Sequence, residues 1–285
     1  MRRAIIIIPI FCLAVVGVSS THFAQDSIIP PGWRTCPRCQ TPAERKANDK
    51  FKPEGMPYNN HDLSGVWGYA QNPLGPLQTF TKKVPPMTEW AKERFNATLT
   101  EYTADGTKIS NIKDPMLICD PLGWPRLFTY NYGFEFIVLP DRVLQFIEWG
   151  HSWRTIWTDG RKLPDTPPDL RFMGWNVGHW DGDTLIVESN GYDDRSWVNE
   201  NYPEVTGGLV HSDEMRLVER WRRTSYSSLE GQITIYDPKA YTEPWVGETV
   251  TWSLQPNTEI WEKFCVTSDS LTHVERVLKP AAGAK

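Results

Sequence analysis

From Phe128 onward the chain is written in short runs of alternating apolar and polar residues, broken by turn residues. FEFIVLPDRVLQFIEW holds two such runs around Pro140-Asp141-Arg142. HSWRTIWTDGRKLP is another run, ending in Asp159-Gly160. RFMGWNVGHW and DTLIVES flank Asp181-Gly182, and EMRLVERWRR and LEGQITIY flank Ser225 to Ser228. VTWSL and IWEKFCV complete the series. Period-two alternation places successive side chains on opposite faces of a strand, so each run has a face to bury. Short strands at close spacing predict an all-β, mainly antiparallel fold, a barrel or a related sandwich, and not a parallel sheet. The 14 tryptophans fit wide half-buried sheets or an aromatic-lined cavity equally well.

The rest of the chain is read around this core. Residues 1–24 follow the plan of a secretory signal peptide: Arg2 and Arg3, an apolar run over 4–18, then small residues. The run is shorter than the roughly 20 residues of a membrane helix, and no second such segment follows, so no span remains after cleavage. Residues 25–60 read as an irregular arm. The one short helix is predicted at 89–97, with Thr88 as N-cap and Glu89 in its first turn. Residues 61–275 form the β domain and 276–285 a tail. The expected location is periplasmic or secreted.

Loss of Arg2 and Arg3 takes the formal net charge from −5 to −7. That balance argues against nucleic acid as a partner, which needs a basic face. Four cysteines follow the leader, and in an oxidising compartment an even count points to bridges. The simplest pairing is Cys36 with Cys39 in CPRC, and Cys119 with Cys265 across the fold. CPRC also fits half a zinc site or a redox pair, but no second CxxC and no βαβ context accompany it. No cofactor motif is present, and the histidines lack HxH or HxxxH spacing, so no metal is expected.

GHWDGDTLIVES, Gly178 to Ser189, carries the strongest hairpin signal, an Asp-Gly pair between two strand runs. A two-residue turn at Asp181-Gly182 pairs His179 with Thr184 and Trp175 with Glu188. It puts Trp175, Val177, His179, Thr184, Ile186 and Glu188 on one mostly apolar face, read as the inward one. In EMRLVERWRR, Glu219 shares a face with Met215, Leu217 and Trp221. A buried carboxylate needs a partner; an arginine such as Arg154, Arg161, Arg171 or Arg195 is one answer. The other is that Glu188, Glu219 and His179 converge as an acid–base set. Trp175, Arg195, Trp197, His211 and Trp221 are the candidate ligand-binding residues, from the strand faces and from the loops DDRSW and HSDE. DPKAYTEPW, 237–245, reads as a structured loop.

Two resemblances follow from these motifs. Gly65-x-Trp67, in DLSGVWGYA at the first strand, is similar to the opening motif of lipocalins, up-and-down barrels with a ligand in the mouth. FEFI..PDRVL.F.EW, R.IWTDGRK.P, GHW.GDTL.VE, DDR.W, HSD, ER.RR and DPKAYT.PW, spread over most of 62–270, resemble a family of uncharacterised, exported, β-rich bacterial proteins abundant in soil organisms. That resemblance implies a fold and an exported life, and carries no chemistry. The expectation for function is a binding protein with an aromatic-lined cavity for an apolar or aromatic small molecule. The alternative is a cofactor-independent isomerase, hydratase or hydrolase using the Glu/His pair.

Overall fold

The computed structural model describes residues 54–71, 81, 83–99, 113–130, 132–199, 207–273 and 275–276. The candidate signal peptide, Cys36, Cys39, most of the N-terminal arm and nearly all of the tail lie outside the described residues. The strands are β1 (Gly65–Gln71), β2 (Phe134–Val138), β3 (Arg142–Ile147), β4 (Ser152–Trp157), β5 (Trp175–Asp181) and β6 (Thr184–Asn190). They continue as β7 (Trp197–Asn199), β8 (Leu209–Val210), β9 (Arg216–Ser225), β10 (Ser228–Tyr236), β11 (Trp245–Val246) and β12 (Val250–Leu254).

Nine of these close on themselves in the order β10-β12-β1-β2-β3-β4-β5-β6-β9, with β9 pairing back to β10. The choice between barrel and sandwich is therefore settled as a lipocalin-like barrel. Neighbours are antiparallel except β4 and β5, which run parallel with Trp157 opposite Val177. β11 adds to the end of β10, and β7 pairs with β8 in a separate small sheet.

The helix expected at 89–97 is present as α1 (Glu89–Thr98), and the Thr88 hydroxyl accepts from the Ala91 N–H at 3.3 Å. The single-turn α2 (Arg126–Thr129) and α3 (Thr267–His273) complete the helices among the described residues, beside a 3₁₀ turn at Pro115–Ile118. IWEKFCV does not form the expected strand. It meets the body through an isolated bridge from Lys263 to Trp149, the Trp261 N–H donating to Glu148, Phe264 stacked on His151, and the Cys119–Cys265 disulfide, whose Cα atoms lie 5.5 Å apart.

Inward alternation fills the barrel. Phe136, Gln145 and Arg154 lie in one cross-strand row, and Gly178, Val187, Glu219 and Ile233 in another. Gly231 sits between Trp221 and Trp252, where a Cβ would come within 2.7 and 2.8 Å of the two indoles. What remains of the lumen is taken by the segment around α2. Phe128 meets Trp221 and Trp252 edge-on, with centroids 5.6 and 5.1 Å away, and Trp124 reaches Glu219. This plug is anchored by a buried Arg126–Asp114 ion pair and by the Trp124 N–H, which donates to the Phe172 carbonyl at 2.8 Å. The void left among Trp124, Phe128, Gln145, Trp221 and Trp252 is about 10 Å³, the scale of one water.

The inward face assigned to the hairpin is corrected. Its two-residue turn is Gly182-Asp183, with Asp181 opposite Thr184 and His179 opposite Ile186. Gly182 has φ +55° while Asp183 does not enter the left-handed region. That is the type II′ pattern, with glycine first, whereas an Asp181-Gly182 turn of type I′ needs φ > 0 at the aspartate as well. The grouping of residues by face survives this shift, but the face with His179 and Glu188 is the outer one. Gly178, Leu185 and Val187 point inward, and Leu185 and Val187 are fully buried.

Candidate functional site

Two regions gather polar side chains beside aromatic ones. The first is the barrel interior. Glu219, 0% exposed, is gripped by Arg154 through two hydrogen bonds of 2.6 Å and accepts from the indole N–H groups of Trp124 and Trp221 at 2.9 Å each. Arg154 also donates to Gln145 Oε1 at 2.7 Å and Asn176 Oδ1 at 3.2 Å, and its guanidinium lies 3.9 Å over the Trp124 ring. A buried ion pair is tolerated when hydrogen bonds satisfy its remaining lone pairs and protons. Here they do, so Glu219 and Trp221 are held by their neighbours, with no room for a ligand.

The other sequence-selected residues do not join them. Glu188 and His179 are exposed on the outer barrel surface, across the sheet from Glu219, so the expected acid–base set does not assemble. The reason is the hairpin's facing, since both of its faces carry apolar residues. Trp175 is also on the outer face, covered by Arg171 at 3.5 Å and donating to the Asp169 carbonyl. Arg195 is exposed and forked onto Asp193, with Phe172 beneath it at 4.8 Å. Trp197 is buried in the small β7–β8 sheet, with Arg126 5.5 Å from its ring. Of the five candidate ligand contacts, Trp197 and His211 are neighbours with Arg195 just before Trp197 in the chain, while Trp175 on the outer face and Trp221 in the lumen lie elsewhere.

His211 is buried near Trp197. Its Nδ1 faces the Ser212 carbonyl at 3.0 Å and its Nε2 faces the Ser196 hydroxyl at 2.9 Å. A carbonyl only accepts, so Nδ1 carries the proton and Ser196 donates to Nε2 in the neutral ring. Burial pushes the imidazole's pKa below its ordinary value, against the opposing pull of Asp237, Asp194 and Asp193. The pair resembles a nucleophile and its base, but both residues are shielded from solvent. A Cβ on Gly123 would come within 2.8 Å of Ser196 Oγ. The nearby Asp237 binds Ser212, not the imidazole. This arrangement fixes a corner and presents no nucleophile.

The second region is a cleft of about 620 Å³ at the barrel rim, by the ends of β6, β9 and β10. One wall is the crossing from β4 to β5: Asn190 Nδ2 donates to the Pro164 carbonyl at 2.8 Å, and Pro167 lies against Gly191. The other wall is the loop after β10. Asp237 Oδ2 accepts from the Ser212 N–H at 2.6 Å, its Oδ1 from the Ser212 hydroxyl at 2.7 Å, and Tyr241 donates to the Val210 carbonyl. Pro167, Pro238, Pro244, Met215, Tyr236 and Tyr241 give the cleft an apolar lining. Asp165, Asp213, Glu214 and Glu243 add carboxylates, and Arg216 one guanidinium. Lys239 bonds Asp213 at 2.8 Å and holds that carboxyl below its usual range.

Sequence reasoning missed this cleft. HSDE offers His211 as a ligand contact and DPKAYTEPW reads as a structured loop, whereas the cleft takes Asp213 and Glu214 from the first and Asp237, Tyr241 and Glu243 from the second. Nothing local signals that they meet the 165–167 loop. Among the described residues, no group of three or more His, Cys, Asp or Glu side chains is arranged to hold a metal ion. No family model, no curated protein and no solved structure matches the chain.

Proposed function

We propose that this is an exported small-molecule-binding protein whose ligand lies in the rim cleft, not in the barrel lumen. The observation that carries this reading is the contrast in space: about 620 Å³ lined by prolines and tyrosines at the rim against about 10 Å³ inside. Ligand sites typically enclose roughly 300–1,000 Å³ of mostly apolar surface with a few polar groups. The ligand class is apolar or aromatic in its body, as Tyr236, Tyr241 and the three prolines favour. Export is supported by the leader-like first residues, by the Cys119–Cys265 bridge and by the resemblance to exported proteins. No helix among the described residues is long and apolar enough to cross a membrane.

The test is amide-resolved NMR of the oxidised protein against a fragment mixture, with native mass spectrometry of periplasmic material to find a retained molecule. Shifts confined to residues 165–167, 190–191, 213–216 and 236–244 are expected. Shifts centred on Trp124, Phe128 and Trp252 would return the site to the lumen and end this reading.

A further inference from the structure

We infer that the ligand of the rim cleft carries a primary or secondary ammonium on its apolar body, an inference that rests on the cleft being the binding site. Five carboxylates line it, those of Asp165, Asp213, Glu214, Asp237 and Glu243, against the single guanidinium of Arg216. Their commitments differ. Asp237 is used up within the fold, accepting from the Ser212 backbone and hydroxyl and from the Ala240 N–H at 3.1 Å. Asp213 is bonded to Lys239, and Glu214 stands 3.8 Å from the same ammonium. Asp165 and Glu243 make no hydrogen bond or ion pair among the described residues. They come from the two walls, one from the β4–β5 crossing and one from the loop after β10, so a cation between them would bridge the cleft.

An independent observation comes from Asn190. The residue is only 5% exposed and lines the cleft. Its Nδ2 is tied to the Pro164 carbonyl, which fixes the amide's orientation and leaves Oδ1 buried without a partner. An unsatisfied buried acceptor costs on the order of 1–3 kcal/mol, and a bound N–H donor would recover it. A quaternary ammonium has no N–H to give, whereas a primary or secondary one does. A ligand carboxylate would meet Arg216 but also the surplus of negative charge around it. The apolar lining takes the body, and the carboxylates with Asn190 Oδ1 take the head.

The experiment uses the intact oxidised protein and matched probes on phenyl, indole and naphthalene rings. Each set shares one ring and ends in an ammonium, a methyl or a carboxylate; for indole these are tryptamine, 3-propylindole and indole-3-propanoate. NMR titration is expected to show the ammonium member binding at least ten-fold more tightly than its methyl isostere. Trimethylation of the nitrogen should weaken it. Asp165→Asn with Glu243→Gln should abolish the preference while leaving the methyl isostere's affinity unchanged, and Asn190→Leu should reduce it with the thermal transition checked in parallel. If the methyl or carboxylate members bind the cleft as tightly as the ammonium, the charge assignment is overturned and the cleft stands. If no probe perturbs the cleft residues, both fall.

Discussion

Glu219 in the lumen and Glu243 at the rim are the same residue type beside aromatic rings, and the fold treats them in opposite ways. Glu219 accepts four hydrogen bonds from three side chains, while Glu243 accepts none among the described residues. Solvent explains the difference. A carboxylate shut inside a barrel must find every partner in the chain itself, since an uncompensated buried charge costs several kcal/mol. At the rim water serves until something displaces it. The lesson runs against the usual expectation that an inward glutamate marks the functional site. Here the inward one holds the fold, and the open ones are available for use.

The sharpest way to break this contrast is to loosen the lumen and watch the rim. The Cys119–Cys265 bridge spans 146 residues and ties the turn ahead of the plug to the C-terminal segment. Replacing both cysteines by serine is expected to remove about 5 kcal/mol by chain-entropy reasoning, read by urea titration. A loss under about 1 kcal/mol would mean that the plug is held without the bridge. Next in size, Glu219→Ala should cost about 3–5 kcal/mol, because it strands Arg154. Arg154→Met with Glu219→Leu should restore most of that. An equal loss in the single and double variants would show that the ion pair is not what the interior needs.

A smaller effect belongs to His211. Its folded pKa lies below the ordinary 6.5, so the unfolded chain binds the extra proton first. Stability should therefore be flat above about pH 7.5 and fall as pH drops through 6.5 toward the folded value. That window sits above the carboxylate range, and His211→Gln should flatten it in melts taken at pH 5 to 8. Smallest of all, Asp165→Asn and Glu243→Gln should change stability by no more than about 0.5 kcal/mol, as exposed positions do. A larger loss by either would make the rim carboxylates part of the fold and erase the contrast.

Much of the frame was readable from residues. Alternation gave the strands, put Glu219 inward and named Arg154 among its possible partners; Thr88 and Glu89 marked α1. The facing of β5 and β6 was not readable, because Val177 and Ile186 on one side compete with Leu185 and Val187 on the other. What decided it was the space inside, where Gly178 lies against Ile156, with a Cβ there only 2.9 Å from its Cγ2. The plug was hidden for a related reason. PLGWPRLFTYN has no strand alternation, and nothing local says that Trp124 and Phe128 enter a barrel eight of whose nine strands follow them. The cleft is assembled from 165–167, 213–216 and 236–244, so no single motif could announce it.

The parallel pairing of β4 with β5 has a consequence for how the barrel comes by that cleft. Antiparallel neighbours can be joined by a tight turn, but parallel ones require the chain to travel back along the outside before it can start again. Residues 158–174 make that return journey. They bring Asp165 and Pro167 to the far end of the molecule, where the strands β6, β9 and β10 stop and start. The single break in an otherwise up-and-down winding is thus what supplies one wall of the cleft. A redesigned barrel with β5 reversed and a short turn in place of this detour would keep its lumen full and lose that wall.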